Sequence, residues 1–180
     1  MRIRAAAAAL VMATAVVACS SDPAPSPLPT LPTSSPTPSP LSVPAEALAE
    51  TPHGAAAFTR YFFDQVNRAY VARDATVVQR LSTSACGSCA AVVGDIQRLR
   101  REGHQVAGQR YKLTFSEAAP ADSEGRMIVD FGFTADPYVE RDSSSAIVKE
   151  FPEKGPQEGQ TMLVRVDDQW RVAAVRLVTA

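Results

Sequence analysis

Cysteine is the residue with the most specific chemistry in this 180-residue chain, which has three. Two of them lie in the run Cys86-Gly87-Ser88-Cys89. That spacing sets their α-carbons about 5–5.5 Å apart across one helical turn, within disulfide range. One chemistry is a structural disulfide pinning the start of a helix. Its loop is tiny, so the chain-entropy gain is only about 2 kcal/mol. A second is a redox-active dithiol, since a helix N-terminus lowers a thiol pKa. The thioredoxin-type arrangement, however, leaves a strand of a βαβ unit, whereas a helix and a turn precede this run. Zinc is a third, but a site needs four ligands, and His53 and His104 stand at no recognisable spacing from the cysteines. The pair Cys86–Cys89 is therefore read as a disulfide, with the redox role as the alternative.

The other reactive side chains form no motif. There is no Ser/His/Asp set, no HExxH and no phosphate loop. No catalytic residue, no metal site and no cofactor is assigned, and an enzymatic role stays open. Tyr61, Tyr111 and Tyr138 are candidates to line a pocket, although aromatic residues at such spacings also serve as plain core. Asp64 falls one step off an apolar stripe and reads as solvated. His53 and His104 lie near helix ends and read as surface. Arg98, Arg100 and Arg101 fall in the last turns of a predicted helix, where cations suit the dipole.

The remaining cysteine, Cys19, follows Val16-Val17-Ala18 at the end of an uncharged run from Ala5, itself preceded by Arg2 and Arg4. A positive head and about fourteen apolar residues make a secretory signal, too short for a permanent span of about twenty. Val-Val-Ala-Cys resembles a bacterial lipobox. The resemblance implies cleavage before Cys19 and a lipid on its sulfur. Two or more acyl chains there would anchor the protein stably. Residues 1–18 are thus a lipoprotein signal peptide. Residues 19–44 are the anchor and a stalk: nine of the fourteen prolines fall between Ser20 and Pro44, with Asp22 the only charge. Such a stretch reads as an extended spacer reaching roughly 70–80 Å. Fifteen arginines against three lysines suggest high-GC coding, and with the lipobox and stalk point to a Gram-positive, actinobacterial-type envelope.

Residues 45–180 have the composition of a soluble globular domain, with enough length for one core. The formal net charge of −1 is too mild and mixed to imply a nucleic-acid partner. Thr51 and Pro52 open a helix whose apolar face is Phe58, Phe62, Val66 and Ala69/Tyr70, running to about Arg73. Asp74 caps a short helix, Ala75 to Leu81. A third helix carries Cys89, Val92/Val93, Ile96 and Leu99 on one face and stops at Gly103. After Gly108 the period becomes two. Tyr111, Leu113 and Phe115 are expected inward, as are Met127, Val129, Phe131 and Phe133, with Asp130 outward. Ala146–Val148 is a short strand, and Met162, Val164 and Val166 form another. Asp167-Asp168 turns the chain into a last strand, Trp170 to Val178, whose phase would change with a bulge near Ala173-Ala174. Three helices followed by antiparallel strands predict an α+β fold, with the helices packed on one face of a curved sheet.

That order, and the hairpin Val-Arg-Val-Asp-Asp-Gln-Trp-Arg-Val, resembles the ketosteroid-isomerase/SnoaL-like (nuclear-transport-factor-two-like) superfamily. The resemblance implies a cone-shaped roll, often with a pocket between sheet and helices. The lipobox, the stalk, the Phe-Thr-Arg-Tyr-Phe-Phe helix and the Cys-Gly-Ser-Cys step together resemble a family of uncharacterised actinobacterial lipoproteins, known as a domain of unknown function. That resemblance implies a location and a fold, and no activity.

Two functions follow as expectations. One is a cell-envelope lipoprotein, held to the outer face of the cytoplasmic membrane through Cys19, with a non-catalytic domain that binds an envelope protein, glycan or lipid. The other is a surface enzyme or thiol–disulfide protein using Cys86 and Cys89. An ionisable group deep in a pocket beside Tyr61 or Tyr111 would favour the second.

Overall fold

The structure, a computed structural model, describes residues 42–178. The signal peptide, Cys19 and the stalk through residue 41 lie outside the described residues. Among those described, no helix is long and apolar enough to cross a membrane.

The chain enters through a 3-10 turn, Ala45–Leu48, that behaves as a strap. Ala47 is fully buried, and the Trp170 indole N–H donates to the Ala49 carbonyl at 3.0 Å. Helix α1, Pro52–Ala72, begins where expected: the Thr51 hydroxyl accepts from the Gly54 N–H at 3.1 Å, and Pro52 holds the first position. Gly54 has a packing reason, because a β-carbon there would sit 2.2 Å from the Ala49 oxygen. The helix ends at Arg73 in the left-handed region. Helix α2, Thr76–Leu81, is short; Asp74 takes both the backbone N–H and the hydroxyl of Thr76. Helix α3, Gly87–Glu102, stops at Gly103 with φ 71°.

Seven strands follow: β1 Gln105–Ala107, β2 Lys112–Ala118, β3 Met127–Ala135, β4 Tyr138–Arg141, β5 Ile147–Phe151, β6 Lys154–Val166 and β7 Gln169–Val178. The α+β class holds, with three helices and antiparallel strands. The single sheet of the sequence reading is two: a four-stranded sheet ordered β2-β3-β6-β7 and a three-stranded one ordered β1-β4-β5. The chain passes between the sheets three times, and prolines mark the last two passages. Pro137 separates β3 from β4, and Pro152 separates β5 from β6. A proline donates nothing to a ladder, so the chain leaves one sheet there and joins another. The short β1 and β4 carry too little alternation to be read from sequence.

The core lies between the helices and one face of the larger sheet, with Phe58, Val66, Leu81, Ile96 and Leu99 against Val129, Phe131, Leu163, Trp170 and Val172. On the outer face the Gln160 amide donates to Asp130, which is outward as expected. Two strand phases differ from the alternation read in the sequence. The β2–β3 register slips between Leu113 and Phe115, so Phe115 turns outward. Ser116 turns inward and donates to the Ala56 carbonyl at 3.1 Å. The bulge re-aims every later side chain of the strand. Opposite it, Gly132 leaves room for the Phe115 ring, which would come within 2.3 Å of a β-carbon. In β6 the buried row is Gly159, Thr161 and Leu163, while Met162, Val164 and Val166 face away. Arg165 lies on the inner row near the hairpin, its guanidinium 5.1 Å from the Trp170 ring; stem packing hides its charge in an apolar-looking alternation. The Asp167-Asp168 turn has positive φ at both residues, the two-residue hairpin geometry that suits strand twist. In β7 the register slip leaves Ala173 unpaired. Trp170 and Val172 face the core, Val175 packs against it, and Arg176 pairs with Gln160 on the outer face.

Candidate functional site

Past that bulge, Val175 and Leu177 point to the side where the helices stop covering the sheet. There they meet Phe62, Phe63 and Val66 of α1 and Ser88, Cys89, Ala91 and Val92 of α3, around an apolar cleft of about 270 Å³. Tyr111 forms its far wall and is held by α1: Asn67 donates to the Tyr111 carbonyl at 2.7 Å and accepts from its N–H at 3.1 Å. A second cleft of about 250 Å³ shares Tyr111 and Leu177 and continues past Phe133, Tyr138 and Phe151 to Arg110 and Lys154. The floor is aromatic. Phe63 and Tyr111 ring centres are 5.2 Å apart, Tyr111 and Phe133 5.4 Å, and Tyr138 stacks on Phe151 at 4.2 Å. Burial raises the phenol pKa of both Tyr111 and Tyr138, so both stay neutral and serve as walls and donors.

Of the three tyrosines singled out from sequence, the structure brings Tyr111 and Tyr138 together. Tyr61 is apart, in a polar hollow of about 420 Å³ with Glu46, His53, Arg60 and Asp64, beside the entry of the strap at Pro44. His53 is exposed, as expected.

The charged residues behind the cleft form a connected set that sequence reasoning missed. The Arg110 guanidinium lies 3.8 Å from the centre of the Tyr70 ring and 4.8 Å from that of Tyr138, and donates to Asp95 at 3.0 Å. The Tyr70 hydroxyl donates to the same Asp95 oxygen at 3.2 Å. Burial pushes the Asp95 carboxyl up, but hydrogen bonds from Arg98 and Arg110 outweigh it and hold it below the usual range. Arg98 also donates to both oxygens of Glu140, at 2.8 and 3.0 Å. Arg98 is thus a cross-link from α3 to β4 rather than a dipole partner alone. His104, expected at the surface, is half-buried and lies 2.6 Å from Glu140. The missing signal was β4: once Tyr138–Arg141 is a strand, Glu140 alternates inward and must find a cation.

Glu102, His104 and Glu140 bring ligand-type atoms within 4.8 Å of one another. Arg98 donates to the same carboxylates, at 2.6 Å to Glu102, and already supplies the positive charge there. The cysteines lie elsewhere. Cys86 and Cys89 are joined as a disulfide with α-carbons 5.2 Å apart, and the Cys86 sulfur accepts from the Cys89 N–H at the start of α3. Both are buried, at 1% and 3% exposure.

Helices laid over one face of an antiparallel sheet, with an aromatic cleft where that cover ends, define an α+β roll with a site at its open edge. The chain belongs to the Family of unknown function (DUF6318), which it matches over residues 33–176. No curated protein matches it. Among solved structures it is similar to the intermembrane space region of the chloroplast protein ARC6, with a TM-score of 0.56 and 7% identity over 72% of this chain and 98% of that one. It is also similar to Aln2 from a Streptomyces species, with a TM-score of 0.44 and 12% identity over 66% and 85% of the two chains. A putative polyketide cyclase from Xanthomonas campestris pv. campestris gives 0.33 and 11% over 69% and 92%. At these identities the likeness is one of fold alone.

Proposed function

We propose that this protein is a cell-envelope lipoprotein, acylated at Cys19 on the outer face of the cytoplasmic membrane, whose globular domain binds an apolar ligand without transforming it. The address rests on the run from Arg2 to Cys19 and on the proline-rich stalk. The binding role rests on one observation: the cleft between α1, α3 and β7 is walled by Phe62, Phe63, Val66, Val92, Tyr111, Val175 and Leu177. A concave, mostly apolar site with a few fixed polar groups is what small-molecule binding requires. The Ser88 hydroxyl, its polar group on α3, accepts from the Val175 N–H at 3.2 Å, and its hydrogen-bond partners among the described residues include no histidine or carboxylate to take its proton. The thiol–disulfide alternative has less support, because both sulfurs are buried and an exchanging thiolate must reach the disulfide directly.

Two measurements test this reading. Cys19→Ala should release the protein from membranes or leave the precursor uncut; a fully processed variant that stays on the membrane would sink the anchor. The neutral fluorophore N-phenylnaphthylamine should brighten on adding the protein, and Ala91→Trp, which fills the cleft from its exposed rim, should abolish the signal. Equal brightening with the variant would refute the cleft.

A further inference from the structure

The two joined clefts are not alike in charge, and the difference names a ligand class. Around Val92 and Val175 the walls are hydrocarbon. At the other end the Tyr138–Phe151 stack is ringed by cations. Arg110 lies against it, its side chain only 10% exposed and its Nε–H buried without a hydrogen-bond partner among the described residues. The Lys149 ammonium sits 4.7 Å from the Phe151 ring centre. Lys154 stands on the rim of the cleft. Asp95 answers Arg110; among the described residues no carboxylate comes within 4.0 Å of the Lys149 or Lys154 ammonium.

We propose that the joined cleft binds a single-chain anionic amphiphile, its aliphatic tail between α1, α3 and β7 and its acidic head beside Arg110 and Lys154. The inference rests on the binding role above and gives its ligand a chemistry. Tyr111 and Leu177 line both clefts, and the rings of Phe63, Tyr111 and Phe133 pack in series between the two ends. Tail burial supplies non-directional affinity that grows with the area removed from water. The head supplies orientation: a buried, unpaired Arg110 donor is costly, and an acidic oxygen that satisfies it recovers that cost. A neutral hydroxyl head can accept a hydrogen bond there but brings no charge to meet Arg110 and Lys154. A cationic one meets like charge.

The test uses the full chain carrying Cys19→Ser, stripped of lipid, with N-phenylnaphthylamine displaced by decanoate, decyl phosphate, decanol or decyltrimethylammonium. The two anionic ligands should displace the probe at concentrations about tenfold below decanol, the worth of one charge-assisted hydrogen bond. The cation should be weakest. Lys154→Gln, an exposed change, should lower the anionic preference without abolishing it, because Arg110 still holds the head. Equal potency of decanoate and decanol, or an undiminished preference in Lys154→Gln, overturns the ligand class while the binding role stands. A probe that never binds overturns both. Co-sedimentation with anionic phospholipid vesicles, without displacement by monomeric decanoate or decyl phosphate, would reassign the cations to a bilayer surface and overturn the proposal.

Discussion

Glu140 shows how one buried side chain can set the acid tolerance of a domain. It is 2% exposed. Hydrogen bonds from Arg98, opposed by burial and aided by His104, hold its carboxyl at about 2, well below the ordinary 4.5. A depressed carboxyl contributes fully above its unfolded pKa and loses that contribution as pH falls through the folded value. The shift corresponds to about 3 kcal/mol at neutral pH. Glu140→Gln should therefore lower the unfolding free energy measured in urea at pH 7 by about that much, and the gap to the parent should close towards pH 2. A gap that stays constant with pH would remove the carboxylate from the explanation. The buried disulfide makes a second prediction at this scale. Native protein treated with millimolar glutathione should resist maleimide labelling until denatured, and the double Cys86→Ser/Cys89→Ser variant should lose about 2 kcal/mol. Rapid labelling of the folded protein would favour the redox role instead.

At the scale of elements, the helices were legible because their signals are local. Thr51-Pro52, the stripe from Phe58 to Tyr70 and the Gly103 stop specify α1 and α3 within a residue or two. The strands were legible in place but not always in phase. The bulges beside Phe115 and at Ala173 add one residue each; the Ala173-Ala174 pair offered a place for the second, nothing marked the first, and alternation alone decides neither. The cleft suffered most, since Val175 and Leu177 reach it only through such a slip. Arg110, Asp95 and Glu140 meet from an inter-strand loop, a helix and a strand, so no spacing along the chain announces them. The strap makes the element-scale prediction. Gly54→Ala puts a methyl group into the Ala49 carbonyl, which is backbone and cannot rotate away. The variant should lose about 1–3 kcal/mol and open residues 45–50 to proteolysis. A variant as stable and as resistant as the parent would mean that the strap yields freely.

At the scale of the molecule, the fold keeps its site and its entry apart. The strap ends on Trp170, near the start of β7, and the cleft lies against Val175 and Leu177, near its finish. Deleting residues 20–42 should leave the melting temperature of the domain within about 1 °C, because the proposed spacer would contribute no core. A larger drop would show that the stalk docks on the domain.

The separation along β7 also decides how the domain carries mechanical load. Seven residues of strand put roughly 23 Å between Trp170 and Leu177. A tug arriving from the N-terminal side is borne first by the Trp170 indole, the Arg165 contact to Glu50 and the buried Ala47. The far end of the strand feels it last. Were the proposed stalk to pull on the domain, the mouth of the cleft would stay undistorted while the Trp170 end of the strand took the strain.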